Sequence, residues 1–156
     1  MKMLVLSDSH GSVKRLSFLY DLAGKFSHVL YLGDGWHDAE DLKYAFPTQF
    51  AAVRGNCDPD CPWNEDYTFQ AGNFRVFMTH GHRYGVKYGL ESLATAAKAH
   101  GASVALYGHT HRADVRYVEG VLCINPGHVG YPYNTATYCI IDIEGDQIMP
   151  KIIKIE

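Results

Sequence analysis

An α/β sandwich with a mixed second sheet is the fold class that this chain predicts, and three observations predict it. Short apolar runs alternate with amphipathic stretches through the first two-thirds of the sequence. After residue 112 the pattern turns β-rich. Five of the strand-like runs end in polar clusters built from Asp, Asn, His and Gly. In an open α/β sheet ligands bind where strands end, so these clusters are expected to converge on one crevice.

The elements follow in order. Met3–Leu6 reads as a buried strand, and Val13, Leu16, Leu19, Tyr20 and Ala23 then repeat at helical spacing across residues 13–26. Residues 29–32 form the next strand, followed by a weaker helix over 38–46 that Pro47 stops. Residues 50–53 are a third strand. Two prolines, two cysteines and four acids make 57–66 a loop. Residues 74–78 are strand-like, 90–100 form an alanine-rich helix ended by Gly101, and 104–107 are another strand. Residues 115–118, 121–124, 137–143 and 148–155 complete the strands, with Glu144-Gly145-Asp146 turning between the last two. No repeat, low-complexity tract or linker interrupts the 156 residues, so one domain over 1–156 is expected.

Composition narrows the function. The formal net charge is −3 and the chain has no Lys/Arg cluster, which argues against stable nucleic-acid binding. The first apolar run is too short for a signal peptide, and no stretch approaches a membrane span, so a cytoplasmic protein is expected. The four cysteines are then thiols rather than a disulfide framework. Nine histidines beside fourteen Lys plus Arg are the unusual feature.

The strand ends deliver Asp8-Ser9-His10, Gly33-Asp34, Gly55-Asn56-Cys57-Asp58, His80-Gly81-His82 and Gly108-His109-Thr110-His111. Oxygen and nitrogen donors without thiolates suit manganese, iron, zinc, cobalt or nickel. Seven groups (Asp8, His10, Asp34, Asn56, His80, His109, His111) exceed what one ion with an open position uses, and two ions sharing Asp34 use them well. Two such ions stabilise both oxygens of a displacement at phosphorus. Rival motifs are missing: no Cys-x5-Arg, no phosphate-binding Gly-x4-Gly-Lys, no His-Glu-x-x-His and no Gly-x-Ser-x-Gly occurs. A Ser-His-Asp reading of residues 7–10 leaves four clusters unexplained.

With "RGNCD" (54–58), "THGHRYGVK" (79–87), "YGHTHRADV" (107–115) and "INPG" (124–127), the ordered motifs resemble the calcineurin-like metallophosphoesterase superfamily, and within it the small single-domain YfcE-type phosphodiesterases. The resemblance implies a four-layer α/β/β/α sandwich with two mixed β-sheets. It implies one ion on Asp8, His10 and His111, a second on Asn56, His80 and His109, and Asp34 between them. Manganese is the ion it implies first, and a metal-bridging hydroxide would attack the phosphorus of a small phosphodiester.

Asn56, His109, His82 and His128 form the expected catalytic set. Cys57 stands where larger members carry a proton-donating His, which favours acidic leaving groups, with His82 or His128 as substitute donors. His82 is also read as a support for the ligand His80, facing the opposite way along an extended run. Trp36 is a candidate wall for a base or aryl group. Arg54, Arg83, Lys87 and Arg112 flank the motifs as candidate phosphate contacts. Tyr131, Tyr133 and Tyr138 suit a homodimer. Two alternatives stand beside the phosphodiesterase: a phosphomonoesterase acting on nucleotide or phosphoprotein, and a non-catalytic scaffold like the retromer subunit that shares this fold.

Overall fold

The computed structural model describes residues 1–155, with the side chains of residues 13–17 outside the description; the expected apolar positions Val13 and Leu16 fall there. In chain order the elements are β1 (Lys2–Leu6), α1 (Val13–Ala23), β2 (His28–Tyr31), α2 (Trp36–Ala45) and β3 (Phe50–Ala52). Next come β4 (Asp66–Ala71), β5 (Phe74–Thr79), α3 (Glu91–Ala99) and β6 (Val104–Leu106). The chain finishes with β7 (Asp114–Val118), β8 (Val121–Asn125), β9 (Thr137–Glu144) and β10 (Gln147–Lys154).

They form two mixed five-stranded sheets, ordered β10-β9-β1-β2-β3 and β4-β5-β6-β8-β7. In the first, β1, β2 and β3 run parallel while β9 runs antiparallel to both its neighbours, β1 and β10. In the second, β5, β6 and β8 are parallel, flanked by antiparallel β4 and β7.

Strand alternation explains the layering. Met3 and Val5 face the second sheet and meet Val76, Met78, Leu106 and Ile124 in a core between the sheets. Leu4 and Leu6 point the other way, onto Leu19, Ala23 and Leu42 of α1 and α2. On the far side, Phe77, Ala105 and Cys123 pack under Leu93, Ala94 and Ala97 of α3. Each fully buried Leu, Val or Met contributes roughly 1.5–3 kcal/mol. The result is the four-layer α/β/β/α arrangement that the resemblance implied.

One strand escaped the sequence. Asp66–Ala71 was expected partly as loop, yet it pairs with β5 through a turn at Gly72-Asn73. It is a sheet edge with only Ala71 fully buried, so it lacks the clean apolar alternation of a half-buried strand. Near the end, Tyr138 joins the core whereas Tyr131 is 77% exposed.

Candidate metal centre

The loops that leave β1, β2, β5 and β6 meet at one end of the sandwich, and they meet in strained backbone. Asp8, His10, Asp34, His109 and His111 all have positive φ, between 45° and 69°. Such conformations cost on the order of 1 kcal/mol or more each and persist where the surroundings enforce them. Here close packing does so. A Cβ on Gly55 would collide with Asp34, and one on Gly108 would collide with Ser7 and Asp8, so the loops approach only because those positions are glycine.

The side chains converge in two triads of carboxylate and imidazole, and the Cys57 thiol forms a third group with His10 and Asp34. Asp8, His10 and His111 bring their donor atoms within 4.8 Å of one another, and so do Asp34, His80 and His109. Asp8 Oδ1 lies 3.2 Å from His111 Nε2, 3.6 Å from His10 Nε2 and 3.8 Å from His80 Nε2. Asp34 Oδ2 lies 3.2 Å from His80 Nε2 and 3.6 Å from His10 Nε2, so Asp34 touches both triads.

Each carboxylate spends its other oxygen on holding a loop. Asp8 Oδ2 accepts from Ser7 Oγ (2.6 Å) and His109 N (3.1 Å). Asp34 Oδ1 accepts from Cys57 N at 2.8 Å. His80 Nδ1 faces the Leu32 carbonyl at 2.7 Å, which makes it the protonated nitrogen and turns the Nε2 lone pair toward the carboxylates.

These contacts leave a deficit. Asp8 Oδ1 and His80 Nε2 are buried without a hydrogen-bond partner. A buried unsatisfied polar atom costs about 1–3 kcal/mol; with the His80 ring neutral these two are facing acceptors, which either a proton on Nε2 or a cation in its place satisfies. The donor set therefore fits divalent metal.

Electrostatics agree. Burial alone would raise the Asp8 carboxyl, but His10, His111 and His80 hold it well below the usual carboxylate range. Asp34 is likewise lowered, with His80 outweighing its burial. The Asp8 carboxylate raises His10; His80 rises too, Asp34 and Asp8 outweighing its burial. Burial, His80 and Lys87 push His109 down to about 4, so it is already neutral at pH 7. Metal requires neutral imidazole. Uptake of manganese at pH 6.5 is therefore expected to release protons from His10 and His80. Titration calorimetry in buffers of different ionisation heat reads this; identical heats in all buffers would contradict it.

Three expected residues sit differently from the sequence reading. Asn56 is exposed, and its Nδ2 donates to Cys57 Sγ at 3.4 Å rather than to a cluster residue. His128 is only 3% exposed and places Nε2 on Thr135 Oγ1 at 2.8 Å, with its ring 5.6 Å from that of His111. It backs a candidate ligand instead of opening to the cleft. His82 does not face away from His80: Gly81 takes φ 107°, which breaks the extended run and sets the two rings 5.5 Å apart. His82 and His128 are both lowered by burial, so neither stands protonated at neutral pH as a donor.

Other expectations sort cleanly. Trp36 stacks with His37 and lines a cleft of about 320 Å³ beside His10 and Cys57. Arg54 and Arg83 are held by Glu65 at 3.2 and 2.6 Å.

Sequence reasoning missed the residues that assemble the loops. Asp58, 6% exposed, accepts from the backbone N–H groups of Asp34, Gly35, Trp36 and Gly55 at 2.7–3.2 Å. It thus caps the N-terminus of α2 from a distant loop, where a carboxylate also meets the helix dipole. Asp38 binds Ser9 Oγ (2.5 Å) and Gly11 N (2.7 Å), tying α2 to the first loop. The signal for Asp58 was its place in Gly-Asn-x-Asp, two residues after a candidate ligand.

Comparison with known proteins agrees with this geometry. The profile of the calcineurin-like phosphoesterase superfamily domain matches residues 1–146. The Bacillus subtilis protein named "Probable metallophosphoesterase YsnB" is 31% identical over 151 residues, covering 94% of this chain and 86% of that protein. Among solved structures, a predicted phosphoesterase from Streptococcus pneumoniae TIGR4 superposes with TM-score 0.84 at 24% identity, over 98% of this chain and 88% of the other. Vacuolar Protein Sorting 29 from Cryptosporidium parvum gives 0.82 at 20%, over 99% and 91%. The Escherichia coli phosphoesterase YfcE gives 0.68 at 23%, over the whole of both chains. At these identities the structures share the fold.

Proposed function

The chain belongs to the calcineurin-like phosphoesterase superfamily, and from that premise we propose that it is a dinuclear metal-dependent phosphodiesterase acting on a small diester. The observation that carries this reading is the pair of buried, unpartnered polar atoms, Asp8 Oδ1 and His80 Nε2, which face each other at 3.8 Å, one from each of two adjoining triads. Asp8, His10 and His111 would hold one ion, and His80, His109 and Asn56 the other. Asp34 would serve both. Asn56 reaches its ion by turning away from Cys57, which an exposed side chain can do. Ions held there, manganese first, supply Lewis acidity to the phosphoryl oxygens and a more acidic water.

The chain's own residues do the rest. Ser7 and the His109 amide fix the Asp8 carboxylate, the Leu32 carbonyl fixes the His80 tautomer, and the Cys57 amide fixes Asp34. Burial and the Asp34 carboxylate raise the Cys57 thiol, so it keeps its proton at neutral pH and releases it poorly to a leaving group. With His82 and His128 neutral as well, the site favours leaving groups that depart as stable anions. That favours phosphoric esters of acidic alcohols.

Protein stripped with EDTA and reconstituted with manganese should hydrolyse bis(4-nitrophenyl) phosphate faster than 4-nitrophenyl phosphate, and only with metal. Faster monoester turnover would establish the phosphomonoesterase alternative. Failure to take up metal would favour the scaffold reading.

A further inference from the structure

A second and larger cavity, about 540 Å³, adjoins the β6–β7 connection, where Lys87, Tyr107, Thr110, Arg112, Asp114 and Arg116 line it. Its lining residue Thr110 is bonded in the chain to two candidate ligands, His109 and His111, neither of which lines the cavity itself. Lys87 is near enough to His109 for its charge to bear on that ring.

The lining is unbalanced. Three cations share it with one carboxylate, and that carboxylate is engaged. Asp114 Oδ2 accepts from Arg116 Nε at 3.0 Å and from the Tyr107 hydroxyl at 3.2 Å. Arg112 and Lys87 have no acidic partner among the described residues, in contrast to Arg54 and Arg83. Two uncompensated cations on one concave wall focus an attractive potential on anions. A guanidinium fork beside an ammonium and a hydroxyl matches a phosphate, whose monoester form carries about −1.5 to −2 charges at neutral pH.

We infer that this cavity receives a second phosphate on the substrate, so that the natural substrate is a phosphodiester bearing an additional phosphomonoester. The inference rests on the phosphodiesterase reading, and its test separates the two. Thymidine 5′-(4-nitrophenyl phosphate) would be compared with the same diester carrying a 3′-phosphate, on the manganese-loaded protein and on the Lys87→Gln, Arg112→Gln double variant. Both side chains are exposed, so the variant is expected to fold.

The 3′-phosphate should raise kcat/KM by about tenfold or more, and the double variant should lose that gain. Equal kcat/KM for the two diesters, or a gain that survives in the variant, overturns the inference. Inorganic phosphate added to the unphosphorylated diester should not raise turnover; a rise would assign the cavity to a free effector and overturn it as well. If neither diester is hydrolysed, the phosphodiesterase reading fails while the cavity is still judged by calorimetry. Thymidine 3′,5′-bisphosphate should then bind about tenfold more tightly than thymidine 5′-phosphate, and only with Lys87 and Arg112 in place. Equal affinities overturn it.

Discussion

Replacing Asp34 with alanine is expected to abolish metal binding at both positions and to lower diester hydrolysis by at least about a hundredfold, roughly 2.7 kcal/mol. Asp34 reaches both triads and approaches His80 more closely than Asp8 does: its Oδ2 lies 3.2 Å from His80 and 3.6 Å from His10, against 3.8 Å from Asp8 Oδ1 to His80, and its Oδ1 holds the Cys57 amide. Loss of the charge leaves His10 and His80 converging with Asp8 alone, too little negative charge to retain two dications. Asp34→Asn isolates that term. The amide keeps an oxygen for the Cys57 N–H and nearly the same shape beside Gly55, so loops and fold should survive. Metal content by mass spectrometry should fall below one equivalent in both variants. Two equivalents retained by either would remove Asp34 from its bridging role.

Asp58→Asn is expected to destabilise the protein by about 3–5 kcal/mol, lowering the melting temperature by roughly 10 °C, although it never touches the triads. The carboxylate takes four backbone N–H groups, two on each oxygen. An amide can offer one oxygen to two of them. Its NH2 then confronts the other two donors, with no rotamer that satisfies all four. Alanine leaves all four unpaired in a site that is 6% exposed, so both variants should fall together. Thermal melts of the metal-free protein read the effect apart from any ion. A melting temperature within 2 °C of the parent protein would show that water replaces the carboxylate at roughly no cost.

The contrast between these two aspartates explains what the sequence revealed. Asp34 was legible because its chemistry is carried by residue type and by its place after a strand. Asp8, His10, His80, His109 and His111 were legible for the same reason, and the structure brings all six together. Asp58 was hidden because its role is defined by four amide directions, which no residue type encodes. His82 was misjudged because one torsion, φ at Gly81, decides which way a neighbour faces. His128 was misplaced because position near a motif does not distinguish the cleft from the layer behind it. An α/β sandwich with a mixed second sheet was readable from periodicity and its four layers from the family resemblance, whereas β4, a half-exposed edge with little alternation, was not. In general, short-range pattern announced the elements and the candidate ligands, and long-range hydrogen bonding that joins them left no trace in composition.

Those long-range bonds carry a consequence for how the protein matures. The amide of His109 binds the carboxylate of Asp8 across 101 positions of the chain, and His111 meets the same carboxylate. Asp34 and His80 are joined across a shorter stretch of 46 positions, from one sheet to the other. A nascent chain that ends before residue 107 already contains Asp8, His10, Asp34 and His80 but has no partner to complete either triad. Contacts of such separation form late, because the intervening loops must be closed before they repay that cost. An ion that requires a complete triad therefore finds none in the early stages. An ion held by the completed triads would stabilise the folded sandwich by mass action, so the melting temperature is expected to rise with free metal concentration.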